Sequence, residues 1–271
     1  MLAVGSLGAF LEIVLPQRVA QLAQSETAEL ALARKGTADV NTSVSRLWAD
    51  ISVKGSMSLT DAQLTQDLAL AKSVEKSADD ALGHVQLAQS YIAQADGLPF
   101  QLHSPAFIAT DRPALEHLDK ALRATLTLAQ AATLQLALAQ HVIQDAQKIP
   151  TTLDPALNNR AWADAARTAS TLADDLKPLQ VSAGFAGALL DPLWGKWIDA
   201  MLTVVTSAQQ YSLASAANQT QLAQQHARNL AAGRQQVTSS FAAAQNGAAA
   251  WATSKIQPLL DTVARETAAG S

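Results

Sequence analysis

Five histidines, His84, His103, His117, His141 and His226, are the side chains of this chain best suited to metal or proton chemistry, and no cysteine joins them. Their spacing is poor for metal. A bundle that holds metal ions in its core needs Glu-x-x-His pairs projecting inward from facing helices, and none of the five histidines has such a partner. An HExxH pair, a phosphate loop and a Gly-x-Ser-x-Gly elbow are missing as well. Two pairs stand four residues apart, Asp80 with His84 and His141 with Asp145, which places each pair on one helical face. Solvated or satisfied pairs are the expectation there, against a zinc site shared between two helices. The sequence predicts no catalytic, cofactor or metal residues, and a protein that is not an enzyme.

Composition narrows the class further. Of the 271 residues, 49% are hydrophobic, 15% charged and 4% aromatic, with Ala, Leu and Gln recurring throughout. Such usage favours helix over strand. The net charge of -4 argues against a nucleic-acid partner, which would need a concentrated basic face to displace counterions from phosphate. Without cysteine the chain has no disulfides, no thiolate metal site and no Cys nucleophile.

The elements are legible from spacing. Leu64, Leu68, Ala71, Glu75, Ala78, Leu82, Val85, Gln89 and Ile92 recur every three or four residues and line one seam of a helix. Thr60 and Gln63 form a capping box at its start, and Gly97 before Pro99 stops it. Val19, Leu22, Glu26, Leu30, Ala33, Thr37, Val40, Val44, Leu47 and Ile51 form a similar seam over 18–51. A third helix is expected from Asp111, with Pro113 in its first turn, to just before Pro150; its uncharged stretch from Leu126 to Ile143 places it at the centre. A fourth is expected from Asp154 to Pro178, a fifth from Pro192 to Gln245, and a short last one beyond the Asn246–Gly247 break with a kink at Pro258. The fold class is all-α, an elongated up-and-down bundle of about five or six helices, several long and coiled-coil-like. Residues 18–271 read as a single bundle. Residues 1–17 read as an apolar N-terminal segment, for which three readings stay open: a first bundle helix, the tail of a membrane anchor beginning upstream, or a signal peptide.

With helices running up and down in order, the N-terminal segment and two apolar connectors, 98–110 and 179–195, are expected to meet at one end. Phe100, Phe107, Ile108, Phe185, Leu189, Leu190, Trp194 and Trp197 would there contact lipid or a protein partner, or would simply plug the end of the core. The function expected is a non-catalytic interaction, scaffold or sensor module, tethered to a membrane by its N-terminal end on the extracytoplasmic side, with a second copy or another protein as partner. The alternative is a soluble helical protein that inserts into lipid and resembles the helical pore-forming toxins in general layout.

Overall fold

The computed structural model describes residues 14–54, 59–98, 105–185 and 193–271. The described chain is all-α and contains no strand. Its helices are α1 (Leu15–Lys54), α2 (Asp61–Asp96), α3 (Ala106–Lys148), α4 (Asp154–Asn158), α5 (Trp162–Phe185), α6 (Leu193–Ala216), α7 (Thr220–Lys255) and α8 (Gln257–Gly270). A π-helical stretch, Ile149–Leu153, leads from α3 into α4.

The first two helices follow their sequence pattern closely. In the capping box, the Thr60 amide donates to Gln63 Oε1 at 3.0 Å, and the Gln63 amide donates to Thr60 Oγ1 at 3.3 Å. On α1 the seam residues Leu22, Leu30, Ala33, Val40, Val44, Leu47 and Ile51 are all buried, and so is Glu26.

Later boundaries differ from the expectation. Helix α3 begins five residues before Asp111, where the Ile108 amide closes a first turn on the Pro105 carbonyl, so Pro113 lies within the helix. At its other end Pro150 does not break the chain, because the wider π turn accommodates the residue that lacks an amide. The reversal comes instead at Arg160, in the left-handed region at φ 58°, with the Ala161 amide bonded back to the Ala156 carbonyl. Helix α5 continues through Pro178 to Phe185. The expected fifth helix is two, because Asn218 also adopts a left-handed φ of 60° and the Gln219 amide returns to the Ala214 carbonyl. Asn246 and Gly247 interrupt nothing; the break into α8 falls at Ile256, and Pro258 sits in the first turn of that helix.

The described residues group into two compact units, and α1, α2 and α3 contribute to each. Unit 1 takes residues from 14–46, 70–98, 105–130 and 257–271. Its core joins Leu22, Leu30, Ala33, Val85, Ala88, Leu115 and Leu118. Helices α1 and α2 are antiparallel, since Glu29 meets His84 while Gly36 meets Ala81, and α3 and α8 are likewise antiparallel, with His117 on Glu266 and the Ala114 carbonyl beside Gly270. Unit 2 takes residues from 47–54, 59–69, 131–185 and 193–256. Here α5, α6 and α7 run antiparallel in turn: Gln180 bonds Asp199, Trp162 packs edge-on to Tyr211, and Gly233 and Gly247 face Val204 and Leu193. All five tryptophans belong to this unit, including the Trp48–Trp251 contact at 6.2 Å.

Two glycines of unit 1 give a matched test of how closely α1 and α2 approach. A Cβ on Gly36 would lie 2.8 Å from Ala81 Cβ, which is rigid and cannot step aside, whereas a Cβ on Gly83 would meet nothing within 4 Å. Gly36→Ala is expected to destabilise unit 1 by about 1–3 kcal/mol through overpacking. Gly83→Ala is expected to stabilise it by up to about 1 kcal/mol through helix propensity. Urea unfolding followed by far-ultraviolet circular dichroism measures both, and adding Ala81→Gly should rescue the Gly36 variant.

Candidate functional site

The strongest chemical anomaly is Glu26. It occupies a seam position of α1 between Leu22 and Leu30, is 0% exposed, and neither carboxyl oxygen has a hydrogen-bond partner among the described residues. Other buried polar side chains on the bundle seams solve this problem locally. Thr37, Thr125, Ser212 and Thr267 each donate a hydroxyl hydrogen bond to the carbonyl four residues back, at 2.6 to 2.9 Å. A carboxylate carries no proton to donate, so that route is closed to Glu26.

Two charged side chains act on it. Asp111, in the second turn of α3, faces it with a like charge, and Arg34, two helical turns further along α1, partly offsets this. Burial, then Asp111, pushes the Glu26 carboxyl up from 4.5 to about 7. Arg34 is itself engaged, donating from Nε to the Gly270 carbonyl at 2.9 Å and so tying α1 to the end of α8. Chemically this is a proton-holding site in an apolar seam.

Around it, unit 1 is laced by two histidine–glutamate contacts between helices. His84 Nδ1 lies 2.6 Å from Glu29 Oε2, joining α2 to α1, and His117 Nδ1 lies 2.7 Å from Glu266 Oε2, joining α3 to α8. His84 therefore reaches across to α1 and not along its own helix to Asp80. The other expected pair is also rearranged: Asp145 receives the Lys148 ammonium at 2.6 Å, while His141 is exposed. That ammonium also reaches Asp175 at 3.4 Å, linking α3 to α5 within unit 2, and the contact to Asp145 raises the Lys148 pKa. No cluster of three metal-ligating His, Cys, Asp or Glu side chains occurs among the described residues.

The residues expected to contact lipid or a partner are placed as follows. Ile108 is buried in the core of unit 1, with Phe107 packed partly against it. Trp194 and Trp197 are buried in unit 2, their rings 5.9 Å apart, and Phe241 lies 5.4 Å from Trp197. Phe185 ends α5, and Phe100, Leu189 and Leu190 lie outside the described residues. The connector 98–110 belongs to unit 1 and the connector 179–195 to unit 2. Ile108, Trp194 and Trp197 are each buried within their own unit. No family model, curated protein or solved structure matches the chain.

Open grooves accompany these features. One lies between α5 and α6, lined by Gln180, Asp199, Leu202, Thr203, Thr206 and Ser207. Another lies between α2 and α3 beside Arg112 and Glu116. Neither is lined by Glu26.

The Glu266 contact has a defined pH signature. Hydrogen bonds from His117 and then Arg265 hold its carboxyl below the usual carboxylate range. A depressed folded-state pKa gives stability that is present above the unfolded value and is lost as pH falls through the folded one. Glu266→Gln should therefore lower the urea midpoint at pH 6 and leave it nearly unchanged at pH 3. An equal loss at both pH values would contradict this assignment.

Proposed function

We propose that the chain is a non-catalytic interaction module, a scaffold or sensor, tethered at a membrane through its N-terminal end and lying on the extracytoplasmic side. The observation that carries this reading is α7. Of its 36 residues the buried ones are Leu230, Gly233, Ala244 and Ala252, flanked by half-buried residues such as Phe241 and Trp251, so the helix is held along one side and turns the other outward. The outward surface carries Gln221, Gln224, Gln225, Gln235 and Gln236, and Leu213 and Leu222 are exposed on either side of the Asn218 turn. A helix held on one side leaves room for a partner helix, from a second copy or another protein.

The second reading, insertion into lipid, is favoured by a different feature. The helical run Ala106–Asn158 includes a window long and apolar enough to cross a membrane, 44% of it buried. Residues 1–13, on which the tether rests, lie outside the described residues.

Liposomes loaded with a self-quenched dye separate the two readings. A tethered scaffold should float with the vesicles, lose that binding when residues 1–17 are deleted, and release no dye. Dye release by the intact chain would replace the scaffold with the inserting protein, and no flotation by either form would end the tether.

A further inference from the structure

We propose that Glu26 makes unit 1 an acid-held clasp, in which the protonated side chain lets α1, α2 and α3 close on one another and loss of that proton drives the start of α3 away from α1. This goes beyond the scaffold reading and does not depend on a membrane.

The geometry supplies the argument. Glu26 is fully buried between Leu22 and Leu30, in a core whose α2 contribution at that level is apolar: Val85, Ala88 and Ile92, with Tyr91 partly buried beside them. An ionised carboxylate there meets no hydrogen-bond donor among the described residues to replace its hydration, so the charged form is disfavoured. The facing group on α3 is the Asp111 carboxyl, which repels the ionised form. On α1 itself Arg34 attracts it but spends a donor on Gly270, and the neighbouring Glu29 is engaged by His84 from α2. On α8 the acidic Glu266 is matched by His117 and Arg265. The proton is therefore the group that makes Glu26 compatible with its site.

The sign follows from linkage. A carboxyl whose folded-state pKa is raised binds its proton more tightly in the closed state, so its stabilising effect is complete below the unfolded value of 4.5 and is lost as pH rises through about 7. Between pH 5 and pH 8 the open population should rise by at most on the order of a hundredfold.

Amide hydrogen exchange of the full chain at pH 5 and pH 8, corrected for the intrinsic exchange rate, reads this directly. Protection across 20–34 and 108–118 is expected to fall toward that bound in the wild type and to stay level in Glu26→Gln, which mimics the protonated form in shape and charge. Asp111→Asn should show a smaller fall than the wild type. Equal falls in wild type and Glu26→Gln, or no fall in the wild type, would overturn the clasp. Should Glu26→Gln not fold, the carbon-13 carboxyl titration of Glu26 in the wild type decides alone: a midpoint near 7 supports the proposal, and one between 4 and 5 overturns it.

Discussion

Close approach between helices is the constraint on which the rest of this molecule depends. Long helices can draw very close only where residues between them are small, and here such contacts are made by Gly36 on Ala81, Gly233 on Val204, Gly247 on Leu193 and Gly270 on Leu118. Each of these contacts has little room for one more carbon. Packing at this separation gains dispersion along the whole length of a helix pair while burying little volume per residue. It also explains how a chain with so few aromatic residues forms a core: buried alanines such as Ala33, Ala78, Ala81 and Ala88 let leucine and valine from neighbouring helices reach one another.

The same constraint gives Glu26 its character. An apolar seam offers a carboxylate no donor of its own, and Arg34, the cation of α1 that acts on Glu26, is occupied by the last carbonyl of α8. Asp111 arrives from α3 with the wrong charge. Exposed salt bridges such as Arg123 with Asp119 are screened by water and set little, whereas a single unpartnered carboxyl in the interior makes the packing of three helices depend on one proton.

Much of this architecture is written in spacing, and the failures have local causes. The α1 and α2 seams and the Thr60–Gln63 box are visible because a helix repeats its inner positions every three or four residues. Glu26 is visible in the same way, as an acid at an inner position of the α1 seam, yet spacing alone does not say whether a glutamate at such a place finds a partner. Prolines mislead more. Pro113 and Pro178 suggest ends that do not occur, since a missing amide can be absorbed inside a helix, whereas α3 does end just before Pro150 and the chain goes on as a π turn. Asn218 marks a real end that looks like mid-helix, because an asparagine entering the left-handed region leaves no pattern in hydrophobic spacing. The pairing of His84 with Glu29, 55 positions away in the chain, depends on helix register and so lies beyond local reading.

The distribution of indoles carries a consequence for anyone watching this molecule by its own light. Trp48, Trp162, Trp194, Trp197 and Trp251 all sit in unit 2, whereas unit 1 has Tyr91 as its one phenol and no indole. Emission excited at the red edge of the absorption band thus comes from one half of the chain. The half containing Glu26 could loosen and close again while the spectrum stayed still.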